Sequence, residues 1–131
     1  MNGTENSVVF DTNIIISALK IKDGLSELDR RFSDSERYVS VMTRTELYGF
    51  PDLKEDEQNR ISDFLGSFTV APYDTDIENE TVKIRRFGTP RPKLPDAIIA
   101  ATAIVLGAIL VTNDGILLKL DWPGLETLSI E

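Results

Sequence analysis

Four acidic residues stand where α/β proteins tend to do chemistry. Asp11 follows a short β-branched run, Ser7 to Phe10 (SVVF), and Asp114 closely follows another apolar run, Ala108 to Val111 (AILV). Such runs read as buried strands, and in an open parallel sheet ligands gather outside the carboxyl ends of strands. Asp96 lies in the first turn of an otherwise apolar helix, and Glu46 lies in a short helix after the second strand. Each acid also has a plainer reading. Asp11 and Asp114 suit helix N-caps, Asp96 suits the positive end of a helix dipole, and Glu46 suits a solvated helix face.

The rest of the composition narrows the chemistry. The 131 residues include no Cys and no His. Disulfides, thiolate metal sites, cysteine nucleophiles, imidazole bases and Ser-His-Asp machinery are therefore all excluded. An enzyme built from this chain works with carboxylates, hydroxyls, Lys or Arg around an oxygen-ligated metal. Ile, Leu, Val and Phe make up 41 of the 131 residues, enough for a packed core, and the length predicts one domain over residues 1–131.

The formal charge of −8 argues against a general electrostatic grip on nucleic acid or anionic membrane. Its distribution is uneven. Lys83, Arg85, Arg86, Arg91 and Lys93 form a strip without a single acid, while the remaining residues balance at −13. This strip reads either as a solvated helix end and loop or as a small phosphate-contacting patch, with Arg85, Arg86, Arg91 and Lys93 as the contacts. Met1 to Ser7 has neither the positive region nor the apolar run of a signal peptide, so a cytoplasmic protein is expected. The mostly apolar run Ala97 to Val111 is 15 residues, too short to span a bilayer, and no membrane partner is expected.

Positioning these residues requires alternating elements. Strands are predicted at Ser7 to Phe10, Arg37 to Val41, Phe68 to Ala71 and Ala108 to Val111, with an edge strand at Glu126 to Leu128. Helices are predicted at Ile14 to Leu19, Leu25 to Phe32, Thr43 to Tyr48, Lys54 to Leu65, Thr75 to Phe87 and Asp96 to Leu106, the last with Pro95 as its first residue and Gly107 as its cap. A short helix follows Asp114. Helices between strands favour parallel pairing, so the expected fold is α/β, a three-layer α/β/α sandwich around a mostly parallel sheet.

Four local strings carry a resemblance. Val8 to Ile14 (VVFDTNI), Ser40 to Gly49 (SVMTRTELYG), Pro95 to Ala103 (PDAIIAATA) and Leu110 to Asp114 (LVTND) resemble the four signature segments of PIN-domain proteins, in the family's order and across essentially the whole chain. The group they are most similar to is the VapC-type toxins of prokaryotic toxin-antitoxin pairs. The resemblance implies a PIN-like domain in which Asp11, Glu46, Asp96 and Asp114 match an acidic metal-binding and catalytic quartet, with Asn13 and Thr112 as supporting polar residues. It implies Mg²⁺ or Mn²⁺ as cofactor, RNA as substrate, an antitoxin protein as partner and a homodimer. Where many relatives follow the fourth segment with an acid and Phe, this chain has Gly115 and Ile116.

The chemistry agrees with the residue types. Hard divalent cations prefer oxygen ligands, and a divalent ion can activate water for in-line attack on phosphorus without an imidazole. Competing readings are an aspartate-nucleophile phosphohydrolase, which generally has a second Asp where this chain has Asn13; a housekeeping RNA-processing nuclease of the same family; and an inactive PIN-like binding module. No Walker-type phosphate loop is present. The apolar faces at Leu25 to Phe32 and Ile61 to Leu65 read as core, with a partner interface as the other reading.

Overall fold

The structure, a computed structural model, describes residues 7–130, so the reading of the first six positions as leaderless lies outside the described residues. Five strands alternate with seven helices. They are β1 (Ser7–Phe10), α1 (Thr12–Leu19), α2 (Gly24–Arg31), β2 (Glu36–Ser40), α3 (Val41–Tyr48), α4 (Glu55–Leu65), β3 (Thr69–Ala71), α5 (Thr75–Phe87), α6 (Leu94–Leu106), β4 (Ile109–Val111), α7 (Gly115–Lys119) and β5 (Thr127–Leu128). The strands form one sheet in the order β3-β2-β1-β4-β5, and every pairing is parallel.

Period-two alternation sends neighbouring strand residues into different cores. Val8 and Phe10 of β1 join Ile14, Ile15, Leu28, Phe32, Ile61 and Phe64 on one face, with α1, α2 and α4 above them. Val9 points the other way, into a core made by α5, α6 and α7. The sandwich thus has two cores divided by the sheet, as the alternating sequence predicts. Leu28, Phe32, Ile61, Phe64 and Leu65 all belong to the first core, so the apolar faces at Leu25 to Phe32 and Ile61 to Leu65 are spent on packing.

Phe10 is the hub of the first core. Its ring meets those of Phe32 at 5.0 Å and Phe68 at 5.2 Å in edge-to-face geometry, a preferred arrangement for aromatic quadrupoles. The second core is built on small residues instead. Ala97, Ala100, Ala101 and Ala103 of α6 are fully buried, which lets this helix lie close to the sheet and to α5.

Element boundaries shift by at most two residues from the sequence reading, with β1 and α5 unchanged, and caps explain shifts at β2 and α3. The Ser40 hydroxyl accepts from Met42 N–H at 3.0 Å, so β2 ends at Ser40 and α3 starts at Val41. Pro95 is the second residue of α6 and not its first, because Leu94 already turns helical; an early proline is tolerated because the first N–H groups of a helix have no internal acceptor. Among the described residues no helix is long and apolar enough to cross a membrane.

Candidate active site

The chain runs outward from β1 to β2 and β3, then returns to place β4 on the other side of β1. The strand order therefore reverses between β1 and β4. At such a switch point the loops leaving adjacent strands diverge and open a crevice at the carboxyl ends. Asp11 follows β1 directly, and Asp114 lies three residues beyond β4.

Asp11 occupies the N-cap position of α1 with extended backbone, φ −67° and ψ 147°, yet its carboxylate makes no cap hydrogen bond. It turns to β4 instead. The Thr112 hydroxyl donates to Asp11 Oδ2 at 2.7 Å and accepts the Asp114 backbone N–H at 3.0 Å. The backbone adds a third link, from Asp11 N–H to the Val111 carbonyl at 2.9 Å. One buried threonine thus sets the relative positions of the two strand-end acids. Asp114 does cap α7: its Oδ1 accepts from Ile116 and Leu117 N–H, both at 2.9 Å, while Oδ2 is left for other contacts. The plainer reading therefore describes Asp114 well and Asp11 poorly.

Glu46 reaches the site from α3 and is held by hydroxyls. Thr12 Oγ1 lies 2.7 Å from Glu46 Oε1 and 3.0 Å from Thr43 Oγ1. A hydroxyl carries one proton, and of the two acceptors within its reach the nearer, charged Glu46 carboxylate is the stronger. Thr12 and Thr43 are both buried polar residues, and they do for Glu46 what Thr112 does for Asp11. The sequence reading did not single them out. Their signal was a hydroxyl beside each strand end, in positions otherwise given to apolar residues.

Asp96, third residue of α6, is the least compensated of the four. Burial raises its pKa to about 6, and the charges of Asp11, Asp114 and Glu46 push in the same direction; Lys93 alone opposes them. The Asp11 carboxyl is raised as well, by burial first and then by Asp114 and Glu46, against the lowering effect of the Thr112 hydroxyl and the Thr12 backbone. Four acids from four separate segments therefore share one field. Among the described residues no set of three or more is arranged to hold a metal by itself. The donors still fit a hard divalent cation. All are oxygens, their mutual repulsion is what a cation relieves, and Mg²⁺ takes one or two protein carboxylates and fills its sphere with water.

Asp11, Glu46 and Asp96 line a hollow of about 460 Å³ together with Thr12, Asn13 and Thr45. Asn13 stands exposed at its rim, and Ile16, Phe50 and Pro51 close another side. The basic strip runs along the α5–α6 connection, and its members are not equivalent. The Lys93 charge reaches Asp96. Arg85 Nη1 donates to the Pro92 carbonyl at 2.9 Å and ties the connection back to α5. The Arg86 guanidinium lies 5.1 Å from the Phe87 ring centre, and Arg91 is exposed.

Comparison with known proteins agrees with this fold. The PIN-domain family profile matches residues 8–123. Solved structures of similar shape include DNA-bound VapBC from Salmonella typhimurium, with TM-score 0.76 and 25% identity over 94% of this chain and 97% of that one. A toxin-antitoxin complex from Klebsiella pneumoniae matches with TM-score 0.70 and 27% identity, over 94% of this chain and 99% of that one. VapBC2 from Rickettsia felis, bound to promoter DNA, shares the fold at TM-score 0.76 and 20% identity, over 95% of this chain and 99% of that one. The search of curated proteins returned no significant match. PIN-domain proteins are generally nucleases that use divalent metal ions. With its family profile spanning nearly the whole sandwich and its acids gathered at the strand ends, this chain belongs to the PIN-domain family.

Proposed function

We propose that the protein is a Mg²⁺- or Mn²⁺-dependent endoribonuclease and the toxin of a toxin-antitoxin pair. The observation that carries this reading is the convergence of Asp11, Glu46, Asp96 and Asp114 in one electrostatic field at the β1/β4 switch point. Holding like charges together is unfavourable without a cation, and the fold does so through dedicated hydroxyl bonds.

Asp11 and Asp96 are the principal ligands in this reading, while Glu46 and Asp114 complete the site or orient the attacking water. A divalent cation supplies Lewis-acid stabilisation of phosphoryl oxygens and a more acidic water. The protein supplies position. Thr112 fixes Asp11, Thr12 fixes Glu46, and Asn13 and Thr45 edge the hollow. Lys93, Arg86 and Arg91 meet RNA phosphates, and Arg85 holds the loop that presents them. In-line hydrolysis leaves a 5′-phosphate and a 3′-hydroxyl. The likeness to toxin-antitoxin complexes supports an antitoxin protein as partner; that it covers the site and that the toxin is a homodimer are part of the proposal.

The test is cleavage of a panel of structured and single-stranded RNAs by purified protein in Mg²⁺, Mn²⁺ or EDTA, beside Asp11→Asn and Asp96→Asn. Cleavage that needs the metal and is lost in both variants is expected. Metal-independent cleavage, or full activity in either variant, overturns the mechanism.

A further inference from the structure

We infer that Phe50 is the base-stacking platform of the candidate active site, so that the hollow takes a phosphodiester beside an unpaired nucleobase. This rests on the reading of the carboxylates as a phosphodiester-hydrolysing centre and adds to it the residue that selects the substrate's conformation.

Phe50 is unlike the other aromatics near the sheet. Phe10, Phe32, Phe64 and Phe68 pack against one another. The Phe50 ring has no ring partner among the described residues, is 47% exposed, and borders the same hollow as Asp11, Glu46 and Asp96. That hollow has two kinds of lining. Carboxylates and hydroxyls suit a cation and a phosphate; Ile16, Phe50 and Pro51 add apolar surface. In a nucleic acid the group next to a phosphate that seeks an apolar, planar surface is a base.

The ring is also presented stiffly. Gly49 ends α3 with its N–H on the Thr45 carbonyl at 2.9 Å, and a Cβ at this position would stand 2.8 Å from that same oxygen. Gly49 thus fits where a side chain would crowd the last turn of α3, directly before Phe50. Pro51 restricts the Phe50 backbone, and the Phe50 carbonyl accepts Leu53 N–H at 3.2 Å. Two residues beyond the end of α3 and four beyond Glu46, the backbone that carries the exposed ring is restrained, which lowers the entropy lost when a base stacks on it. A base inside a duplex is already stacked between its neighbours and unavailable, so an unpaired nucleotide is the form this surface accepts.

The experiment measures binding and cleavage of a short fluorescent single-stranded RNA by the full chain and by Phe50→Ala, Phe50→Leu, Phe50→Tyr and Phe50→Trp. Binding is read by anisotropy in Ca²⁺, and cleavage in Mg²⁺ with kcat and KM separated. Phe50→Ala is expected to raise Kd and KM by about 5- to 150-fold, the factor equivalent to ~1–3 kcal/mol of stacking, with kcat held. Tyr and Trp restore binding, and Leu, apolar but not planar, does not. An abasic nucleotide next to the scissile bond erases the difference between the native chain and Phe50→Ala. The proposal is overturned if Phe50→Ala binds as the native chain does, if Leu rescues as well as Tyr, if the native chain fails to bind single-stranded RNA, or if the penalty persists on the abasic substrate. Failure of the nuclease reading looks different: binding still depends on the ring, and nothing is cut in Mg²⁺.

Discussion

Two hollows of similar size lie at different places in the sandwich, and both are rich in acids. One, of about 490 Å³, lies among α2, α4 and the start of β2, with Asp29, Asp63, Arg37 and Arg60 in its walls. The other, of about 460 Å³, holds Asp11, Glu46 and Asp96. In the first, charge meets opposite charge. Arg37, with only 11% of its side chain exposed, pairs with Asp29 and lies over the Phe68 ring at 5.3 Å, and Arg60 lies 3.7 Å from Asp56. In the second, like charges face one another, and the bonds that hold them come from neutral hydroxyls. A hollow whose acids share its walls with two arginines already holds countercharge. One that gathers like negative charges suits a cation, and that difference marks a candidate site better than volume does.

Substitutions on the two sides should therefore read out on different instruments. The largest effect is expected from Asp11→Asn and Asp96→Asn, which lower metal-dependent RNA cleavage by at least about 100-fold, of the order seen when a group stabilising transition-state charge is lost; a gel assay in Mg²⁺ checks it. Next comes Thr112→Val, which leaves Asp11 Oδ2 and the Asp114 N–H without their partner. It should cost about 1–3 kcal/mol in urea unfolding and about 10- to 100-fold in activity, as for other groups that orient metal ligands. Arg37→Met removes the ion pair and the contact with Phe68 at the other hollow. A loss of about 1–2 kcal/mol in stability with unchanged cleavage is expected, since the exposed Asp29 rehydrates. A fall in activity comparable to that of Thr112→Val would break the contrast between the two regions.

The smallest effect is a pH dependence. In metal-free protein the Asp96 carboxyl holds its proton more tightly when folded, with a pKa raised to about 6 from the ordinary 3.8. Its ionised form therefore penalises folding fully above pH 6, and the penalty fades as the pH falls through 6 towards 4. Asp96→Asn should be more stable than the native chain at pH 7 in EDTA, and the gap in urea midpoint should close near pH 4. Mg²⁺ at neutral pH should narrow it as well. A gap independent of pH would remove the electrostatic basis of the comparison.

The layers of the sandwich and its parallel strands were legible because strands buried on both faces read as continuous apolar runs, as in Val8 to Phe10 and Leu110 to Val111. The acids were legible too, since Asp11 and Asp114 follow those runs. What the sequence did not reveal lives in side-chain direction. Nothing local says that Asp11 turns from its own helix to a threonine on β4, or that Thr12 serves Glu46 across an interval of 34 residues. Phe50 was hidden for the same reason. An aromatic in a Gly-Phe-Pro turn reads as a helix stop until the neighbouring strand end shows what it faces. Arg85 was read either as part of a solvated helix end or as a phosphate contact, and the bond from its Nη1 to the Pro92 carbonyl depends on how the connection folds back.

The hydrogen bond from Thr112 to Asp11 joins residues 101 positions apart. During synthesis Asp11 emerges early, while the strand that fixes it comes almost last. Closing so long an interval costs loop entropy that no local contact returns, and non-local parallel pairing is slow. Until β4 docks beside β1, the acids are scattered along a chain that has helices but no centre. On the proposed function, hydrolytic competence arrives with the final strands of the sheet, and a chain stopped short of β4 lacks the centre that the proposal requires.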